Sequence, residues 1–253
     1  MSSIWVICEA ASLQNIKRPP SMGLWLGAVV LIWAMVDPMV SEADLARGDM
    51  YPTMLALGVS LVAMLFAVIN EVSKEVSVRF HLLILSKPIL RYEYLLGKIL
   101  GAYLYSLISM IVFCLTAYIA MTLQVSYEVP IWANLLRPII HFSMYLWIFS
   151  LVATVVALFV SEAFFLIIIT LGLGGSYVIG LIPSLQGQAE FNSLAFLVLK
   201  GVYFIFPNFQ YFASANFETY NWMIPILTFI YAAGYTGLIL PLAIRSFNKK
   251  SFL

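Results

Sequence analysis

Six runs of about twenty mostly apolar residues, at 22–40, 53–70, 97–123, 138–160, 163–183 and 222–244, take up most of this 253-residue chain. Each is long enough to cross the hydrocarbon layer as a helix, which satisfies its own backbone N–H and C=O groups where no water is present. Composition agrees, with 63% hydrophobic and only 10% charged residues and a mean hydropathy of +0.99, whereas soluble domains carry about a quarter charged residues. The sequence therefore predicts an all-α integral membrane protein, a single transmembrane domain over 1–253 with six transmembrane helices.

Orientation follows the Lys/Arg bias of the short connections. With both termini cytosolic, Lys17, Arg18, Lys74, Arg79, Lys87, Arg91, Lys98, Arg245, Lys249 and Lys250 lie inside, and only Arg47, Arg137 and Lys200 lie outside. Inverting the chain would reverse that ratio. The cytosolic charge is concentrated between the second and third runs, in EVSKEVSVRFHLLILSKPILRYEYLLGKILG at 71–101. Five basic residues there face Glu71, Glu75 and Glu93, so something outside the bilayer must meet these groups. A solvated loop binding anionic lipid accounts for the basic residues, but not for the glutamates among them or for the turn at Pro88.

The same segment resembles the connection after the second span of type 2 ABC exporter permeases, in particular those grouped with copper-enzyme maturation systems. The shared features are the acidic lead Glu71 and Glu75, the apolar stretch 80–85, the turn Ser86-Lys87-Pro88-Ile89-Leu90-Arg91 and the Leu95-Leu96-Gly97-Lys98 start of the next span. Val76-Ser77-Val78 stands where Gly-Thr is usual. The resemblance implies that 71–96 forms a cytosolic coupling helix docking into a separate ATPase subunit through Glu71, Glu75, Arg79, Phe80, Leu83, Ser86, Lys87, Pro88 and Arg91. Lys98 is expected to anchor the segment at the lipid headgroups. ATP and Mg would be held by the partner ATPase and not by this chain. A homodimer, or a pairing with a similar permease, is expected in turn, with the cell membrane (the inner membrane of a bacterium) as the location.

Other segments fit that frame with less specificity. In 1–20, Ile4, Ile7, Cys8 and Ala11 recur at i, i+3, i+4 and i+7, which predicts an amphipathic interfacial helix, ended by Pro19-Pro20. Glu42, Asp44 and Asp49 form an acidic external loop, read as a solvated turn. Only Ser161 and Glu162 separate the fourth and fifth runs; Glu162 has two readings, a second cytosolic contact or a helix-capping carboxylate. The fifth run carries Gly172, Gly174, Gly175 and Gly180, small residues that let helices approach closely in lipid. The outer connection 184–221 contains a 13-residue apolar run, 194–206, broken by Lys200, too short to span and better suited to a re-entrant or interfacial position. Arg137 and His141 lie one turn apart at the start of the fourth span, candidates for a substrate path near the outer leaflet.

Several classes are disfavoured. Cys8 and Cys114 have no metal or disulfide spacing, and no Walker A, His-Glu-x-x-His or Gly-x-Ser-x-Gly pattern occurs, so the chain is expected to be neither an enzyme nor a cofactor carrier. No nucleic-acid partner is expected. No carboxylate or lysine stands in the middle of spans two, three, five or six, which argues against ion coupling. The expected function is the permease subunit of an ABC transporter, coupling ATP hydrolysis by its partner to export of a lipidic or other apolar substrate, or to force on an external partner protein. The alternative is an ATPase-independent membrane channel or scaffold.

Overall fold

A computed structural model of the chain describes residues 3–17, 23, 25–33, 51–73, 90–124, 131, 135–161, 164–169 and 223–249. Among them every element is a helix and none is a strand. Helix α1 covers Ser3–Lys17, α2 residues 25–33, α3 Tyr51–Val68 with a π-helical turn Ile69–Ser73, α4 Arg91–Gln124, α5 Arg137–Phe159, α6 residues 164–169 and α7 Met223–Lys249. The chain forms two compact units, Met1–Glu162 with Phe217–Leu253, and Ala163–Asn216. In the second unit α6 buries Phe165 and Ile169, one turn apart, and exposes Phe164, Leu166, Ile167 and Ile168.

Three helices are long and apolar enough to cross a membrane: Tyr92–Leu123, Pro138–Phe159 and Ile226–Arg245. They fall on the third, fourth and sixth apolar runs of the sequence. The described apolar stretch of α3, Ala56–Val68, is shorter. Helix α4 is the hub of the first unit, packing against α1, α3, α5 and α7. Its 34 residues make a rod of about 50 Å, longer than the ~30 Å hydrocarbon layer, and its first two turns carry Arg91, Glu93 and Lys98. Burial ranks the three long helices: 61% of the apolar window of α5 is inside the protein, 44% of that of α4 and 17% of that of α7. Helix α7 is thus the peripheral one, with Leu238 and Leu242 open to the surroundings.

Polar side chains inside this unit are satisfied mostly by their own helices. Ser60 donates to Ala56 O at 2.6 Å, Ser109 to Tyr105 O at 2.8 Å and Ser150 to Trp147 O at 2.8 Å. Such back-bonding is the cheapest way to place a hydroxyl where water is excluded. The indole of Trp25 lies between Tyr105, stacked at 6.3 Å, and Phe113, edge-on at 6.1 Å. Trp25 and Ile16 also pack on the cluster of Ala63, Ala67 and Tyr105, so α1, α2, α3 and α4 meet around one ring of α4.

The tightest packing joins α1 to α4. A Cβ added at Gly97 would lie 2.7 Å from Cβ and Cγ2 of Ile7 and 3.2 Å from Ile4 O. One added at Gly101 would lie 2.7 Å from Cβ of Ala11 and 3.3 Å from Cys8 O. Gly97-x-x-x-Gly101 therefore forms a smooth groove, the small-x-x-x-small device by which helices approach closely. Ile4, Ile7, Cys8 and Ala11, the stripe recognised in the sequence, fill it. Contacts advance together along both helices, from Gly97 through Gly101 to the Tyr105 cluster as α1 runs from Ile4 to Ile16, so the two run side by side in the same direction. The stripe is thus taken up by protein. The opposite side of α1 also exposes Trp5, Val6 and Leu13, so the helix is less one-sided than its spacing suggests.

This contact predicts that Gly101→Leu separates α1 from α4, at a cost of about 1–3 kcal/mol for overpacking. The Cys8 thiol reports on it: burial, aided by the carboxylate of Glu9, raises its pKa, and the reactive species is the thiolate. Wild-type Cys8 should resist maleimide near neutral pH and gain reactivity only as pH rises above the ordinary thiol range. In Gly101→Leu, maleimide labelling of Cys8 read by mass spectrometry should accelerate at neutral pH, while that of Cys114, buried within α4, stays slow.

Candidate functional site

The charged segment enters and leaves through ordered helices. Helix α3 continues past Val68 into the π turn Ile69–Ser73, so Glu71 lies within this helical extension, which packs against α5. Glu75, Arg79, Phe80, Leu83, Ser86, Lys87 and Pro88 lie outside the described residues, as does Glu162. Arg91 is the first residue of α4. The start of α4 is fixed by Glu93: its Oε2 accepts from the N–H of Leu90 at 3.2 Å, while the N–H groups of Glu93 and Tyr94 donate to Leu90 O at 2.9 and 3.2 Å. That is the carboxylate half of a capping box, with the negative charge in the first turn where the helix dipole favours it. Glu93, read from sequence only as one charge among several, is therefore the residue that defines where the connection ends.

Lys98 is largely covered by protein. It is 6% exposed, with Nζ 5.7 Å from the centre of the Tyr94 ring, a distance at which the ring face attracts a cation. The Tyr94 ring in turn stacks on Phe247 near the end of α7, with centroids 6.2 Å apart and planes 11° from parallel. The covered ammonium is thus an internal contact, and the Leu-Gly-Lys sequence serves packing: Gly97 admits α1, and Lys98 lies over the ring that holds α7. His141 is also enclosed, at 3% exposure, with its ring edge-on to Phe142 at 5.6 Å. It lies one turn after Arg137 on α5, as the spacing requires, but inside the protein. The N-terminus of α5 has no side-chain cap and begins with Pro138 in its first turn, a position where the missing N–H costs nothing.

A second cluster was missed by sequence reasoning. Tyr103 of α4 meets Trp147 of α5 edge-to-face at 5.2 Å, and Ser143, one turn before Trp147, donates to Ile140 O at 2.7 Å. Trp147 Nε1 donates to Thr236 Oγ1 of α7 at 2.8 Å, and Thr236 donates to Ala232 O at 2.7 Å. Trp147 and Thr236 both lie near the middle of their apolar windows, so the cluster joins three helices deep in the apolar zone. All four side chains are half-buried. The signal available was weak: isolated hydroxyl and aromatic residues within apolar runs, with no spacing that links α4 to α5 or α7.

Among the described residues no group of three or more His, Cys, Asp or Glu side chains is placed to hold a metal ion. No protein-family model matches the chain, and no curated protein matches it.

Two predictions follow from these arrangements. Glu93→Ala should destabilise the start of α4 by about 0.3–1 kcal/mol, the worth of an exposed carboxylate in a first helical turn, seen as faster amide exchange across 91–97. A double-mutant cycle with Trp147→Phe and Thr236→Val should return a coupling of about 0.6–1.7 kcal/mol, the range of interhelical hydrogen bonds in membranes, measured by denaturation in mixed micelles.

Proposed function

We propose that the chain is the membrane subunit of a type 2 ABC exporter, with six spans and both termini in the cytosol. Its substrate in this reading is lipidic or otherwise apolar, or its output is force on an external partner. The observation that carries the reading is the charged connection itself, bracketed by the π turn that ends α3 and the capped start of α4. Both helices pack against each other, so a push on residues 74–89 has a firm base to act upon. A separate ATPase holding ATP and Mg would supply that push, and two copies of the chain, or this chain with a similar permease, would complete the transport path. The outer connection 184–221 serves in this scheme as a re-entrant element, and Arg137 lines the outer leaflet.

Purification of the tagged chain in mild detergent tests the proposal, with co-purifying chains identified and ATPase activity assayed. A stoichiometric Walker-motif protein is expected with wild type, and its recovery should fall about tenfold or more with Arg91→Glu, as for reversal of a charge at a docked interface. Wild type running without such a partner would refute the proposal in favour of a channel or scaffold.

A further inference from the structure

We infer that α7 is a hinged helix, bending between Gly237 and Pro241, so that its last turns can leave α4 while the part before the hinge stays fixed to α5. Pro241 lies inside the helix and has no N–H, so the carbonyl of Gly237 loses its i+4 donor, and the proline ring crowds that carbonyl. Sharp bends in helices sit almost always at such a residue. Of the three long spans, only α7 carries a proline beyond its first turn. Gly234 and Gly237 add to the effect. A Cβ at either would meet nothing within 4 Å, and glycine weakens a helix interior because it has the most backbone freedom to lose. Thr236 donates to Ala232 O at 2.7 Å, a back-bond that itself favours bending.

The helix is held on both sides of this weak stretch. Before it, Thr236 accepts the indole N–H of Trp147 on α5 at 2.8 Å. After it, Phe247 stacks on Tyr94 of α4 with ring centres 6.2 Å apart. Thr236 and Phe247 are separated by about three turns, so both lie on the packed face of α7, with the buried Ala232 and Ala243. Gly234, Gly237 and Pro241 lie on the other, exposed side. Crowding by the proline ring on that outer side tilts the following turns away from it, toward the packed face. The bend therefore lies in the plane that presses Phe247 against Tyr94, and its release lifts the end of α7 off α4. Only 17% of the apolar window of α7 is inside the protein, so little else opposes the motion. Tyr94 belongs to the first turn of α4, directly after the charged connection. The hinge lets the two contacts open one at a time: the start of α4 can part from Phe247 without breaking the hydrogen bond in the apolar zone.

Double electron–electron resonance on the full chain in lipid nanodiscs tests this, with Cys8 and Cys114 replaced by alanine and spin labels on one of two pairs. Ile140→Cys with Leu227→Cys reports on α5 and α7 before the hinge, and Phe159→Cys with Lys249→Cys beyond it; Ile140, Leu227 and Phe159 are exposed. The arm from Pro241 to Lys249 is about 12 Å long, and a bend of about 20° carries its tip about 4 Å. In Phe247→Ala the distance distribution of the second pair should widen by about 4 Å, while that of the first pair is unchanged. Tyr94→Leu, which removes the stack from the α4 side, should do the same. Adding Pro241→Ala, which returns a donor to Gly237 O, should restore the narrow distribution. Equal change in both pairs, no change in either, or a widening that survives Pro241→Ala would show α7 to be one unhinged helix and overturn the proposal. No ATPase enters this measurement, so its failure and that of the exporter reading are separately visible.

Discussion

Close approach of α1 to α4 at Gly97 and Gly101 is the constraint on which much of the first unit depends. A Cβ at either position would come within 2.7 Å of α1, so the separation of the two helices is set by the absence of side chains on α4. That separation lets Ile16 reach the cluster of Ala63, Ala67 and Tyr105, and the same tyrosine ring stacks on Trp25. In lipid, where apolar side chains gain little by leaving hydrocarbon, such van der Waals fit and interhelical hydrogen bonds are what hold helices together. Both are concentrated on α4, which explains why the other described helices of the unit are arranged around it.

Polar atoms follow a complementary economy. Most hydroxyls in the bundle return their proton to the carbonyl one turn earlier and leave helix surfaces free to pack. Trp147 breaks that habit, because an indole N–H cannot reach its own helix backbone and must find an acceptor elsewhere. Thr236 provides it, and so fixes α5 to the otherwise lightly buried α7. The Tyr94–Phe247 stack fixes the C-terminal end of α7 to α4. Two local contacts thus secure a helix that has little burial to hold it.

The all-helical class and the three long spans were legible in the sequence because twenty-residue apolar runs have few alternative folds. So was the stripe of Ile4, Ile7, Cys8 and Ala11, since a helical period reveals which side chains share a face. Its destination was not legible: the same stripe suits a lipid surface or a neighbouring helix, and only the matching of Gly97 and Gly101 across ninety residues of chain decides between them. Lys98 shows a related ambiguity. A lysine at the start of a span reads as a headgroup anchor by default, but the Tyr94 ring one turn earlier gives its ammonium an internal partner. The Tyr103–Trp147–Thr236 cluster escaped because a bond between residues separated by 89 positions leaves no local pattern.

The two flanks of the charged connection differ in helical geometry. Helix α4 contains no proline, starts with a carboxylate cap and is packed along its first turns by α1 and Phe247. Helix α3 ends instead in a π turn, whose wider hydrogen-bonded ring is a local departure from α-helical register. In the exporter proposed above, a push on the connection would act on α4 at Leu90, where the Glu93 cap begins the helix. Tyr103 lies on α4 three turns from its start, and its contact with Trp147 leads on to Thr236. These contacts, an edge-to-face ring pair and one hydrogen bond, are weak enough to rearrange within the apolar zone without unfolding any helix.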